Sequence, residues 1–132
     1  MTAETLQKYR KLKLSYLLDK AQRLFNAFIR ERDNGQPCIN CGHYRELQAG
    51  HFYPTSTYPA LRFNEHNTNG ECLQCNFYNS QSHAYGYRVN LEKKIGTQAF
   101  KDLELLAARS KVRNGKRAWL FYLYVETIEK YK

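Results

Sequence analysis

The sequence is short of what a membrane or secreted protein needs. No apolar run approaches the roughly 18 residues of a bilayer-crossing helix, and the opening MTAETLQKYRKLK has no apolar stretch of the kind that forms a secretory leader. This excludes a membrane protein as the expectation and points to the cytoplasm. Cysteine is scarce too: there are four, all in two Cys-x-x-Cys pairs, Cys38 with Cys41 and Cys72 with Cys75. In a reducing compartment such pairs hold a metal more readily than they form disulfides. Acidic residues are in deficit, 12 against 21 Lys and Arg, and the resulting charge of +9 favours a polyanionic partner, nucleic acid first. The three prolines all fall between residues 37 and 59, which leaves both ends of the chain free of that helix breaker.

The chain is long enough for a single domain, 1–132, and shows no internal repeat and no linker composition. From Glu4 to Arg32 apolar residues recur at helical spacing (Leu6, Tyr9, Leu12, Tyr16, Leu17, Ala21, Leu24, Phe25, Phe28, Ile29), so one long amphipathic helix is expected over 4–33. Asn34-Gly35 and Pro37 stop it. Helical periodicity then disappears, and Arg45 to Tyr53 and Ala60 to Asn64 fit two short strands joined by a loop. After the second cysteine pair the sequence predicts a short helix, a helix ending at Gly96, a helix beginning with Thr97 as N-cap, and a last helix from Lys116. The expected class is α+β, with a central module at 36–84 flanked by the N-terminal helix and a helical part at 85–132.

Each Cys-x-x-Cys turn directs two thiolates at one ion, and two turns complete a tetrahedral four-sulfur shell typical of structural zinc. Such a shell has no open position for water, so any catalysis needs other residues. Between the pairs lie His43, His51, His66, Asn64, Asn67 and Asn69, and Asn76 follows Cys75 directly. His51 stands out because it follows Gly50 at the expected end of a strand, held near the metal loops.

The order Cys-x-x-Cys, Ala-Gly-His, Asn67, Cys72-Leu-Gln-Cys75-Asn76 resembles the zinc-containing HNH, or ββα-metal, nucleases. More closely, PCINCG, AGHF, LRFNEHN, QCN and YRVNLEKKIG together resemble the NinG (Rap) family of lambda-like phages, over about residues 25–96. That resemblance implies a recombination endonuclease acting on branched DNA, such as Holliday junctions or D-loops, in a bacterial host cell. It implies His51 as the general base and Asn67 as the brace of the loop that holds it. Asn76 would be a ligand of a catalytic Mg²⁺ or Mn²⁺. The sequence departs from the pattern at Gly50, where many HNH relatives place an Asp or His ligand. His83, Glu65 and His66 are the alternatives for a second cation ligand.

Phosphate contacts are expected from Lys8, Arg10, Lys11 and Lys13 near the N-terminus and from Arg109, Lys111, Arg113, Lys116 and Arg117 toward the C-terminus. Such contacts position DNA without reading its sequence, which suits selection by branch shape. A symmetric dimer would suit a branched substrate, and the N-terminal helix is a candidate interface, or it packs on its own domain. A non-catalytic zinc-stabilised DNA-binding protein assisting recombination is the alternative function. An RNA-binding module stacking some of the 11 tyrosines on bases is a third.

Overall fold

The computed structural model describes residues 1–77, 81–110 and 117–132, with only the backbone given at 81–84 and 117. It forms two compact units, one of Met1–Phe28 with Asn114–Lys132 and one of Ile29–Arg113. Among the described residues, no helix is long and apolar enough to cross a membrane.

In the first unit, helix α1 (Ala3–Arg10) starts at Thr2, whose hydroxyl accepts from the Thr5 N–H at 3.1 Å. The single long helix expected over 4–33 is instead two, because the chain turns at 11–13 before α2 (Leu14–Arg32). The turn is closed by the Leu12 N–H on the Tyr9 carbonyl at 3.0 Å, and α2 restarts with the Leu17 N–H on the Lys13 carbonyl at 3.1 Å. No glycine or proline marks the break. Tertiary contacts decide it: Tyr9 is buried and its hydroxyl donates to Glu129 at 2.7 Å, while the Arg10 guanidinium lies 5.1 Å from the Phe121 ring centre. These outweigh the few tenths of a kcal/mol per residue that helix propensity contributes. Helix α6 (Arg117–Tyr131) supplies Phe121 and Glu129, buries Tyr124, Val125 and Ile128, and sets the Tyr131 ring edge-on to Phe25 of α2 at 5.2 Å.

The second unit is built on an antiparallel hairpin of β1 (Leu47–His51) and β2 (Thr68–Cys72), with Leu47 opposite Cys72, Gln48 opposite Glu71, Gly50 opposite Asn69 and His51 opposite Thr68. The second strand therefore lies later than expected. Ala60 to Asn64 is not extended: Pro59 opens a 3₁₀ turn, Pro59–Leu61, that buries Leu61, and the Asn64 side chain accepts from the His66 and Asn67 N–H groups at 3.0 Å each. β2 hid from pattern reading because Thr-Asn-Gly-Glu-Cys is polar and has no alternation, yet all five residues are buried. Helices α3 (Leu73–Phe77), α4 (Gln81–Ile95) and α5 (Thr97–Ser110) follow. Gly96, at φ +91°, ends α4, and its carbonyl accepts from the Phe100 N–H at 3.0 Å. Gly96 thus holds the cap position expected of Thr97, which is already the first helical residue. The apolar core joins Ile39, Leu61, Tyr87, Leu91, Phe100, Leu103 and Ala107.

A polar cluster ties the end of α2 to β2 and α4. Asp33, only 2% exposed, accepts from both Nε and Nη2 of Arg32 at 2.9 Å, from Lys94 at 2.9 Å and from the Gly70 N–H at 2.8 Å. Burial pushes the Asp33 carboxyl up, but these donors outweigh it and hold its pKa down to about 2. Arg32 also donates to the Glu65 and Thr68 carbonyls, and Lys94 to the Asn69 amide oxygen, so each cation has more than one acceptor.

Candidate metal centre and candidate active site

The four cysteine sulfurs all lie within 4.8 Å of one another, and Cys41 and Cys72 approach to 3.9 Å. Ligands at about 2.3 Å from a tetrahedral zinc stand about 3.8 Å apart, so the shell fits a structural metal such as zinc. The loops are preset for it. In the first pair the Asn40 N–H points at the Cys38 sulfur (3.4 Å), the Gly42 N–H bonds the Cys38 carbonyl (2.9 Å), and Gly42 takes φ +77° to close the turn. The Cys72 N–H also reaches the Cys38 sulfur, at 3.3 Å. Cys38, Cys72 and Cys75 are buried while Cys41 faces solvent, and Leu47 packs against the buried three. Burial pushes the Cys38 and Cys75 thiols up, while at Cys72 burial is outweighed by hydrogen bonds from Cys75 and the neighbouring cysteines, which bring that thiol down, so a cation is what would hold all four as thiolates together.

His51 ends β1, half-buried, with Nε2 at 2.8 Å from the Arg62 carbonyl. A carbonyl only accepts, so in the neutral ring Nε2 carries the hydrogen and Nδ1 the lone pair. Burial lowers the His51 pKa below 6.5, against the opposing pull of that carbonyl, which favours the neutral ring. Asn67 is fully buried one residue before β2. Its Oδ1 accepts from the Tyr53 N–H (2.8 Å), its Nδ2 donates to the Tyr53 and Leu61 carbonyls (3.1 Å each), and its own carbonyl accepts from the Phe52 N–H (2.9 Å). Both ends of the segment between His51 and the turn presenting Arg62 are therefore fastened by one side chain.

Asn76 lies on α3, and its Nδ2 donates to the Gln48 side chain at 3.0 Å. Gln48 and His51 are three residues apart on β1, so they leave the strand on opposite faces. The structure thus places Asn76 beside the hairpin but does not join it to His51 by a hydrogen bond. Glu65 and His66 belong to the turn before β2: the Glu65 carbonyl accepts from Arg32 and the His66 carbonyl from Asn69. His83 falls on α4, where its side chain lies outside the described residues, as do Lys111, Arg113, Lys116 and the Arg117 side chain. Lys8, Arg10, Lys11, Lys13 and Arg109 are exposed, with Arg10 also donating to the Tyr122 hydroxyl at 3.1 Å.

Two residues that shape the site are not among those its motifs single out as ligands or catalytic groups. Glu71, 1% exposed, accepts from Asn40 of the first cysteine loop at 2.8 Å, and the Tyr87 hydroxyl donates to the Gly50 carbonyl at 2.7 Å. Their signals in the sequence are a charged residue beside Cys72, for Glu71, and the first position of YRVNLEKKIG, for Tyr87.

Fold and site define a small α+β chain whose hairpin, short helix and two cysteine turns frame one four-sulfur centre. A family model described as the bacteriophage lambda NinG protein matches residues 2–123, and the chain belongs to that family. It is similar to the protein ninG of Escherichia phage lambda, 45% identical over 102 residues, and to those of Escherichia phage 933W and Salmonella phage P22, each 44% identical over 102 residues. Each alignment covers 74% of this chain and 50% of the relative, so the chain spans about half the length of these relatives. No solved structure matches the chain.

Proposed function

We propose that the chain is a metal-dependent, structure-selective endonuclease of the HNH (ββα-metal) type that cuts branched DNA in recombination, such as Holliday junctions or D-loops. The observation that carries this reading is the His51 imidazole, buried enough to stay neutral and held through Nε2 by the Arg62 carbonyl. Its Nδ1 lone pair can take a proton from a water attacking a phosphodiester. Asn67 is a positioning residue in this reading, since it fixes the loop rather than the substrate. A bound Mg²⁺ or Mn²⁺, with Asn76 as a protein ligand, would supply charge to the phosphate and the departing oxygen. The four cysteines hold zinc and fold the module without taking part in chemistry. The exposed lysines and arginines, with the charge of +9, supply contacts to the DNA backbone.

One observation favours a second reading. Gly50 offers no side-chain donor beside His51, as in a zinc-stabilised DNA-binding protein that has lost its cation site. The test is cleavage of a purified branched duplex with Mg²⁺, comparing wild type with His51→Ala. Loss of a general base lowers rate about 10²- to 10⁴-fold, while zinc content and DNA affinity stay near wild type. The wild-type rate should rise with pH through a His51 pKa below 6.5 and level off above it, because only the neutral ring accepts a proton. A His51→Ala protein that cleaves at the wild-type rate, or a wild type that never cleaves, leaves the DNA-binding reading as the better account.

A further inference from the structure

Gly50 and Glu71 occupy the same space. A Cβ built on Gly50 would lie 2.2 Å from the Glu71 Oε1 and 2.8 Å from its Cβ, so no side chain fits at position 50 while Glu71 stands where it does. The register explains why. Glu71 lies opposite Gln48, two residues before Gly50, and side chains two apart share a face. Gln48, Gly50 and Glu71 therefore line one face of the hairpin. Directly opposed residues stand about 5 Å apart at Cβ, and Gln48 is the residue whose side chain holds the Asn76 amide at 3.0 Å. The Glu71 carboxylate leans toward Gly50 and Asn40, and Asn76 meets the same face of the hairpin through Gln48. With Nδ2 of Asn76 donating to Gln48, its Oδ1 is the end that offers an oxygen.

We propose that Glu71 is the carboxylate ligand of the divalent cation in the nuclease reading, which this inference rests on, delivered by β2 into the volume that Gly50 vacates and paired with Asn76 from α3. A carboxylate and an amide oxygen are the donors that a hard cation such as Mg²⁺ or Mn²⁺ takes, with waters and phosphate oxygens completing the shell. A glycine inside a strand weakens it, and here the space it leaves is taken by the Glu71 carboxylate. The missing side chain at position 50 is not a vacancy in the donor set; its role has moved across the hairpin. Asn40 donates to Oε2 at 2.8 Å and so orients the carboxylate from the first cysteine loop, tying the cation site to the four-sulfur centre.

The test is Mn²⁺ binding to zinc-loaded protein, read by electron paramagnetic resonance without DNA. Glu71→Gln keeps the shape and the acceptor for Asn40, and should weaken Mn²⁺ binding on the order of 10- to 100-fold with zinc content unchanged. Gly50→Asp combined with Glu71→Ala returns a carboxylate from the other strand and should recover most of that loss. In Mn²⁺-soaked crystals of the wild type, the anomalous peak should lie within bonding distance of a Glu71 oxygen, a measurement that does not depend on how a variant folds. Glu71→Gln binding Mn²⁺ as tightly as wild type, or a peak bonded to Asn76 and not to Glu71, overturns the proposal and leaves the nuclease reading standing. Mn²⁺ bound at Glu71 in a protein that cleaves no branched DNA sinks the nuclease reading instead.

Discussion

Replacing Asp33 by asparagine should destabilise the second unit by about 3 kcal/mol at neutral pH, and the structure gives that figure in two ways. The Asp33 pKa falls from 3.8 to about 2 on folding, and a difference of nearly two units at about 1.36 kcal/mol each is about 2.5 kcal/mol. The side chain is only 3% exposed, so solvent screening discounts little. Breaking a buried ion pair from one side costs about 3–5 kcal/mol. The lower end applies here, because the Arg32 and Lys94 side chains are 28% and 33% exposed and keep the Thr68, Glu65 and Asn69 acceptors. The sign follows from linkage: a carboxylate whose folded pKa lies below its unfolded value stabilises fully above about pH 4, and loses that contribution as pH falls through about 2. The gap between wild type and Asp33→Asn should therefore stay constant from pH 7 to pH 5. Urea unfolding of the zinc-loaded proteins measures it, and a cycle with Lys94→Met should return a coupling of at least about 1 kcal/mol. A loss below about 1 kcal/mol, or a gap that shrinks between pH 7 and 5, refutes the account of this cluster.

Cys72→Ser, or a strong chelator, should strip the metal and unfold the second unit, because structural zinc can contribute on the order of 10 kcal/mol of binding energy to folding; an unchanged melt or zinc-free native protein would overturn the metal assignment. Asn67→Ala removes one acceptor and two donor contacts from buried backbone groups and should cost about 2–3 kcal/mol; chemical shifts of the His51 ring should move with it, and an unmoved ring would separate Asn67 from the candidate base. Affinity for a branched duplex should fall steeply as salt rises, through release of condensed counterions, and depend little on sequence at fixed branch geometry; a flat salt curve would remove DNA as the partner.

What the sequence made legible was whatever a local pattern encodes. Two Cys-x-x-Cys turns, a glycine at positive φ after a helix and apolar residues three and four apart each have one physical reading, and the cysteine cluster, the end of α4 at Gly96 and the helical nature of residues 14–32 follow from them. The break at 11–13 had no such marker, since the contacts that set it, Tyr9 to Glu129 and Arg10 to Phe121, join residues more than a hundred positions apart. The misplaced second strand shows the same limit more sharply. A strand is usually recognised by apolar alternation, but β2 is buried with polar side chains, and what makes that tolerable is a set of distant partners: Asp33 for the Gly70 N–H, Tyr87, Arg32 and Lys94 for the Asn69 side chain, Asn40 for Glu71. A buried polar strand is stable only when each of these is in place. The hairpin carrying the candidate site is therefore specified less by its own ten residues than by one residue at the end of α2, one cysteine loop and one face of α4. Substitutions at Asp33, Asn40 or Lys94, none of them a candidate catalytic or metal-ligating residue, should disturb the candidate site as surely as those within it.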